Sequence, residues 1–277
     1  MKCAWNELLS ILPLWLRQDV DRLGKNNGQE LRMRVGQPAR LVTEDRELCL
    51  NGAIKGEDLQ FCVNMASQYS PWAAESIGKG FLTAAGGHRI GLCGEAVMKN
   101  GEMTGIRNLS SACIRIARDF PGIAGQAPNG SVLILGPPGS GKTTLLRDLI
   151  RNRSGQEGNR IAVVDERREL FPPGNCFEAG PRTDVMTGCS KVQGLDVLLR
   201  TMGPRCIAVD EITSEQDTLA LIHAAFCGVK LLATAHAESM YDLKRRPIYR
   251  KLLDCAVFDH VLILQPDKSW KQERIKL

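Results

Sequence analysis

The feature that most constrains this 277-residue sequence is an apolar segment that runs directly into a glycine-rich one. Residues 131–135 read Ser-Val-Leu-Ile-Leu, residues 136–143 read Gly-Pro-Pro-Gly-Ser-Gly-Lys-Thr, and leucines follow. The pattern G-x-x-x-x-G-K-[ST] between an apolar strand and a helix is typical of a loop that holds nucleotide phosphates. The sequence therefore predicts a strand, a phosphate-binding loop and a helix over residues 143–153.

The spacing within this loop follows from the chemistry of phosphate binding. Glycines allow successive backbone N–H groups to point at phosphate oxygens, and the helix N-terminus adds a partial positive charge. We expect Lys142 to reach the β- and γ-phosphates of ATP, and the Thr143 hydroxyl to bind Mg²⁺. The loop residues predicted to bind the nucleotide are Gly136, Pro137, Pro138, Gly139, Ser140, Gly141, Lys142, Thr143 and Thr144.

A second apolar segment, residues 206–209, ends in the acids Asp210 and Glu211. Because a phosphate loop precedes it in the chain, we interpret Asp210 as a nucleotide-site residue that binds Mg²⁺ together with Thr143. Glu211 would then orient or deprotonate the attacking water. The alternative is that the two acids only cap the following turn.

A third apolar segment, residues 161–164, lies between the phosphate loop and the acidic strand in the sequence. An additional strand at this point favours a P-loop ATPase with a catalytic glutamate over a nucleotide kinase or a small GTPase. The segment ends in Asp165 and Glu166, and ligands of parallel sheets gather at the carboxyl ends of the strands. Glu166 is therefore a competing candidate for the catalytic base, and a solvated charged turn is the alternative.

Polar residues also follow the apolar residues 231–233. Thr234 and His236 come at the end of this predicted strand, and neutral histidine offers one hydrogen-bond donor and one acceptor. Both residues could sense the γ-phosphate, and we take His236 as a candidate catalytic residue. A purely structural histidine at a strand end is the alternative.

Proline and glycine cluster over residues 121–130, which is typical of a loop or linker. We predict an α+β N-terminal domain over residues 1–121, a linker over 122–130 and an α/β P-loop ATPase domain over 131–277. In the last of these, short apolar segments alternate with helical ones, which indicates a mostly parallel sheet with helices on both faces. The remaining predicted elements there are strands at 229–233 and 257–264 and helices at 194–202, 214–227 and 241–253.

The first 121 residues carry no nucleotide motif. Apolar residues recur at helical spacing from Trp5 to Leu23, with Pro13 dividing the element, and Asp58 is predicted to cap a helix that ends at Tyr69. Predicted strands lie at residues 30–35, 81–84, 88–93, 96–99 and 113–118, with turns at 86–87 and 100–101.

The arginines of this half are candidates to supply positive charge to a nucleotide. We expect one or two of them to act in the site, and take Arg115 and Arg118 as the candidate catalytic residues. The set also includes Arg32, Arg34, Arg89 and Arg107, any of which could serve instead, and most of its members are expected to be surface salt-bridge partners.

Composition narrows the possible partners. The net charge of +5 permits an anionic partner without requiring one, and an aromatic content of 5% disfavours a stacking surface for nucleic acids. None of the ten cysteines forms a Cys-x-x-Cys pair, which favours free thiols in a reducing cytoplasm over a zinc site. No segment has the pattern of a secretory signal or a membrane span.

Taken together, these segments resemble the secretion-ATPase superfamily of type II and type IV systems. The phosphate loop, the acidic strand, Asp165-Glu166 and residues 234–237 (Thr-Ala-His-Ala) carry that resemblance. The chain is more closely similar to the bacterial stage III sporulation AA family. That similarity rests on the phosphate loop and on residues 30–36, 87–94, 114–118, 164–167 and 209–212.

The resemblance implies a RecA-like core that hydrolyses ATP with Mg²⁺ and forms a hexamer in the cytoplasm of the mother cell. It also implies that the protein energises a channel complex between mother cell and forespore through membrane-embedded partners of the same operon. The active site would form between subunits, with arginines of one chain completing the pocket of the next. Residues 165–167 read Asp-Glu-Arg where secretion ATPases have Glu-Asp-Pro, so Glu211 and Glu166 both remain candidate bases.

Two other functions fit the same core. A nucleic-acid-stimulated ATPase is permitted by the net charge, although the low aromatic content makes nucleic acid an unfavoured partner. An ATP-gated scaffold with little turnover is the other, but a protein that only binds ATP has no need of Glu211.

Overall fold

The computed structural model describes residues 2–25, 27–43, 45–67, 77–78, 80–172 and 177–275. The chain divides into two compact units, Met1–Asp119 with Pro172–Cys176, and Phe120–Phe171 with Phe177–Leu277. Residues 122–130 lie within the second unit. Among the residues described, no helix is both long enough and apolar enough to cross a membrane.

The first unit is built on a six-stranded antiparallel sheet in the order β3-β2-β1-β6-β5-β4. In the part of the chain that the structure describes, helices accompany the sheet, and an apolar core that includes Leu8, Leu31 and Ile114 forms between the helices and the sheet. The elements are α1 (Trp5–Ser10), α2 (Leu14–Gly24), β1 (Gly28–Arg34), β2 (Pro38–Thr43), β3 (Glu47–Ala53), α3 (Gly56–Ser67), β4 (Phe81–Thr83), β5 (Arg89–Lys99) and β6 (Glu102–Arg115).

Local patterns predicted this unit in part. Pro13 directly precedes α2 and separates it from α1, as expected of a residue that fits the start of a helix better than its interior. The two strands predicted at 88–93 and 96–99 form the single strand β5, and β6 begins well before residue 113. Strands β2 and β3 were missed, and Tyr69 lies outside the described residues.

The second unit is built on a seven-stranded sheet in the order β13-β12-β7-β11-β10-β8-β9, parallel except for β13. Its strands are β7 (Val132–Leu135), β8 (Ile161–Asp165), β9 (Thr183–Thr187), β10 (Cys206–Val209), β11 (Lys230–Ala235), β12 (His260–Leu264) and β13 (Trp270–Arg274). Its helices are α4 (Lys142–Ser154), α5 (Lys191–Thr201), α6 (Glu215–Phe226), α7 (Met240–Arg245) and α8 (Pro247–Asp254).

Helices cover both faces of this sheet. Leu145 and Leu149 of α4 belong to the apolar cluster on one face, whereas Leu198 of α5, Leu221 of α6 and Leu252 of α8 belong to the cluster on the other. Strands β7, β8 and β10 are buried along their whole length, because a parallel sheet with two covered faces leaves no solvent side. The predicted mostly parallel sheet with helices on both faces is confirmed.

The strand order brings the polar strand ends together. Strand β11 lies between β7 and β10 and is parallel to both, and β8 lies on the other side of β10. The carboxyl ends of these four strands therefore meet at one edge of the sheet.

The segment predicted as one helix over 241–253 is two helices, since Pro247 begins α8.

Candidate nucleotide site

The loop between β7 and α4 has the backbone of a phosphate cradle. Gly139 and Gly141 have φ angles of +74° and +104°, a region that L side chains rarely adopt. Nothing lies within 4 Å of the position that a Cβ atom would take at either glycine. The loop therefore presents open space along its backbone, directly before the N-terminus of α4.

Ser140 gives an independent indication of what this loop accommodates. Its Oγ atom is buried and, within the part of the chain that the structure describes, has no hydrogen-bond partner. A Cβ atom at Gly136 would lie 2.5 Å from that oxygen, so glycine is needed there for packing. An unsatisfied buried hydroxyl beside a helix N-terminus is a donor for an anion, which fits the phosphate groups of a nucleotide.

Lys142, the first residue of α4, is buried beside the loop. Its Nζ atom donates to the carbonyl oxygens of Gly136 (2.9 Å) and Pro137 (2.8 Å), and lies 3.0 Å from Nδ1 of His236. Burial lowers the pKa of Lys142 below its ordinary value, while the charges of Asp210 and Glu211 act in the opposite direction.

Asp210 follows β10 and joins two neighbouring elements. Its carboxylate accepts hydrogen bonds from the Thr143 hydroxyl at 2.7 Å and from the Thr234 hydroxyl at 2.6 Å. The Asp210 carboxylate and the Thr143 hydroxyl together offer two oxygen ligands of the kind that Mg²⁺ prefers. These residues fit the metal, and the two predicted Mg²⁺ ligands lie in direct contact.

Glu211 has an unusual backbone conformation, with a φ of +56°. Its N–H donates to the Thr234 hydroxyl at 2.8 Å, so that one buried threonine contacts both acids. Oε1 of Glu211 lies 2.7 Å from Nε2 of His236, and Oε2 lies 2.5 Å from Nη1 of Arg167. Such a conformation is costly for a non-glycine residue and persists where surrounding contacts enforce it, as they do here.

Glu166 has a different set of contacts. Its carboxylate lies 2.6 Å from Nζ of Lys191, a buried side chain whose Nζ is also 3.6 Å from Asp217. The preceding Asp165 is buried and accepts hydrogen bonds from the backbone N–H groups of Glu169 and Phe171. Burial raises the pKa of Asp165, and these hydrogen bonds oppose the shift.

The structure thus brings six of the predicted residues into one connected cluster: Lys142, Thr143, Asp210, Glu211, Thr234 and His236. Thr143 and Asp210 form one pair, and His236 joins Lys142 to Glu211. Pro137 takes part through its carbonyl group, Pro138 is exposed, and Thr144 lies within α4. Glu166 is bound to Lys191 instead.

The candidate arginines lie in the first unit. The Arg118 guanidinium donates to the carbonyl groups of Gly28 and Gly24 and lies over the ring of Trp5. Arg115 is mostly exposed, with its side chain 70% accessible and 3.8 Å from Glu30. Three other arginines of this unit have local partners: Arg32 with Glu30, Arg107 with Glu95, and Arg89 with the Phe81 ring.

The sequence did not single out two residues of this region. Arg167 follows the acidic pair Asp165-Glu166 in a charged turn, and the sequence predicted no contact for its side chain. Lys191 begins α5 and matches no motif, so no local signal announced that its side chain would be buried against Glu166 and Asp217.

The family model described as sporulation stage III, protein AA, matches residues 5–275. The chain belongs to this family. Stage III sporulation protein AA of Bacillus subtilis (strain 168) is 35% identical over 285 residues, an alignment that covers 95% of this chain and 92% of that relative. The family resemblance read from the sequence is confirmed.

Solved structures show the fold of this sporulation-family protein. The ATPase DotB of Legionella pneumophila has a TM-score of 0.63 at 19% identity, over 95% of this chain and 80% of DotB. The pilus retraction motor PilT, solved with bound ADP, has a TM-score of 0.61 at 14% identity, over 93% of this chain and 80% of PilT. The predicted RecA-like fold with an N-terminal α+β unit is confirmed, and DotB and PilT share it.

Proposed function

We propose that this protein is a Mg²⁺-dependent ATPase of the secretion-ATPase type that acts in sporulation. The observation that carries the proposal is the cluster in which Lys142, Thr143, Asp210 and Glu211 meet at the carboxyl edge of a parallel sheet. Family membership supports the sporulation role, and the fold shared with DotB and PilT supports the ATPase chemistry.

Binding of ATP would use the donors of the phosphate loop. The Ser140 hydroxyl, the N-terminal N–H groups of α4 and the Lys142 ammonium are donors directed at or beside the cradle. Thr143 and Asp210 would hold Mg²⁺, which neutralises charge on the β- and γ-phosphate oxygens. These groups bind and orient the triphosphate without forming a covalent bond to it.

Glu211 is our choice of catalytic base. It is joined through His236 to Lys142 of the phosphate loop, whereas Glu166 is tied to the buried Lys191. A base has to lie within hydrogen-bonding reach of the attacking water, and Glu211 follows the strand that carries the Mg²⁺ ligand Asp210. Glu166 would then position the turn after β8.

The remaining parts of the proposal concern assembly. The active protein would be a homo-oligomer, a hexamer by family resemblance, in the cytoplasm of the mother cell. An arginine from the first unit of one chain would complete the pocket of the next, and Arg115 suits this role better than Arg118 because its side chain is mostly exposed. The motor would energise membrane-embedded channel proteins between mother cell and forespore.

Steady-state ATP hydrolysis tests the proposal. Phosphate release would be measured with Mg²⁺ over a range of protein concentrations, with the molecular mass followed by light scattering. We expect specific activity to rise as oligomers form and to be abolished by Lys142→Ala. Lys230→Ala is the matched control. Lys230 is an exposed lysine at the start of β11, at the edge of the sheet opposite to the candidate site. Activity that persists in Lys142→Ala would overturn the assignment.

A further inference from the structure

The contacts of Lys142 determine which ring nitrogen of His236 carries a proton. A lysine ammonium has three N–H donors and no acceptor. Here the three donors have three partners: the carbonyls of Gly136 and Pro137, and Nδ1 of His236. Nδ1 must therefore accept, so His236 is neutral and carries its proton on Nε2.

The Nε2 proton has a defined destination as well. Nε2 lies 2.7 Å from Oε1 of Glu211, so the ring donates to that carboxylate. The other oxygen of Glu211, Oε2, is held by Arg167 at 2.5 Å. Both carboxylate oxygens of Glu211 therefore have hydrogen-bond partners. One of these partners is His236, whose other ring nitrogen is bound by Lys142.

We propose that His236 is a positioning residue that links the occupancy of the phosphate loop to the release of Glu211. Its Nδ1 takes the place of a phosphate oxygen as an acceptor for Lys142, and its Nε2–H holds Glu211 until a nucleotide takes the lysine. This inference rests on the proposed function, because it presupposes that the loop binds a nucleotide.

A phosphate oxygen and His236 compete for one ammonium group. Lys142 has no unused donor, so a phosphate oxygen can gain a hydrogen bond from it only if a present acceptor gives one up. The two carbonyls belong to the loop itself, whereas His236 lies 94 residues away on the segment after β11. His236 is the acceptor that can leave without distorting the loop, and its departure frees the ring to turn away from Glu211.

This arrangement differs from direct sensing of the γ-phosphate by His236. Lys142 would contact the β-phosphate as well as the γ-phosphate, so ADP should release His236 as ATP does. A histidine that senses the γ-phosphate directly would respond to ATP and not to ADP. The two nucleotides therefore separate the two models.

The first experiment observes the ring itself. The full-length chain would be labelled with ¹⁵N-histidine, sedimented and examined by magic-angle-spinning NMR without nucleotide, with MgADP and with MgATPγS. The chain has four histidines, and His236→Leu assigns the signals. We expect a neutral Nε2–H ring without nucleotide, and a shift of the Nδ1 signal towards that of a free imine nitrogen with both nucleotides. A signal that responds only to MgATPγS, or to neither nucleotide while calorimetry records binding, overturns the proposal.

The second experiment measures nucleotide binding in variants. His236→Leu removes a competitor for Lys142, so MgADP should bind about two- to tenfold more tightly, the equivalent of one hydrogen bond. His236→Gln, whose amide offers one acceptor and one donor group, should restore part of this competition and bind MgADP with an affinity between those of the wild type and His236→Leu.

Controls separate this inference from the proposed function and from misfolding. His223→Leu makes the same change at an exposed histidine of α6 and should leave the affinity for MgADP unchanged. If wild-type protein binds neither nucleotide, the proposed function and this inference both fall. If it binds and hydrolyses ATP, but His236→Leu binds MgADP no more tightly than the wild type does, only the inference falls.

Discussion

The same dipeptide, Asp-Glu, ends two neighbouring strands and serves two different purposes. Val164 and Val209 are register partners in β8 and β10, so Asp165-Glu166 and Asp210-Glu211 occupy equivalent positions in the sheet. In the first pair, Asp165 holds its own turn through backbone N–H groups and Glu166 binds the buried Lys191. In the second pair, Asp210 binds two hydroxyls and Glu211 binds His236 and Arg167.

Position at the end of a strand does not by itself assign a role to an acidic residue. Both pairs lie at the edge where ligands of parallel sheets bind, but only β10 lies next to β11, which supplies Thr234. Strand β8 lies one place further from β7 and the phosphate loop, and its acids are used in local structure. Four predictions test this division, in order of decreasing expected effect.

The largest difference between the two acidic pairs is expected in kcat, when the charge of each glutamate is removed. Glu211→Gln should lower kcat for ATP hydrolysis by about 100-fold or more, because the amide cannot take a proton from water. Glu166→Gln should leave kcat largely intact, and both would be measured as steady-state phosphate release at saturating MgATP. If Glu166→Gln proves the more damaging of the two, the assignments in this comparison are reversed.

Removing the cation that holds each glutamate should affect folding unequally. Lys191→Met leaves Asp217 buried without its cation, and should lower the free energy of unfolding by about 3 kcal/mol. Arg167→Met removes an ion pair whose arginine side chain is 49% exposed, and should cost less than about 1 kcal/mol. Urea denaturation measures both values, and equal costs for the two variants would contradict the distinction.

The two aspartates should differ in their effect on the metal requirement. Asp210→Asn weakens a predicted Mg²⁺ ligand, so the Mg²⁺ concentration that gives half-maximal activity should rise about tenfold. Asp165→Asn should leave that concentration unchanged, since its carboxylate is used by the N–H groups of Glu169 and Phe171. A parallel rise in both variants would mean that Asp165 also contributes to metal binding.

The smallest effect is a pH dependence specific to Asp165. Burial raises its pKa, so the folded protein binds this proton more tightly than the unfolded chain does. The contribution of the group to stability is thus fully present below about pH 3.9 and is lost as the pH rises through the folded pKa. Asp165→Asn should therefore cost more stability at pH 4 than at pH 7, as measured by urea denaturation at each pH. If the stability cost of Asp165→Asn instead grows as the pH rises, the result contradicts a raised pKa for Asp165.

Much of the second unit could be predicted locally. Strands β7, β8 and β10 are short, wholly apolar segments, and α4 begins at the residue that the phosphate-loop pattern requires. Strands β9 and β13 escaped prediction because neither has a buried residue, so their sequences lack an apolar face. In the first unit, β2 contains Pro38 and Arg40 among its apolar residues, and these two residues obscure the alternation of apolar and polar positions that indicates a strand.

Sequence alone was enough to identify the phosphate loop, the acids at the strand ends and the family, because each depends on residues that are adjacent along the chain. Which polar groups meet depends on the tertiary structure. The contacts from Lys142 to His236 and from Arg167 to Glu211 join residues 94 and 44 positions apart. Strand order in the sheet sets those contacts, and strand order depends on how the helices pack over both faces rather than on any local pattern.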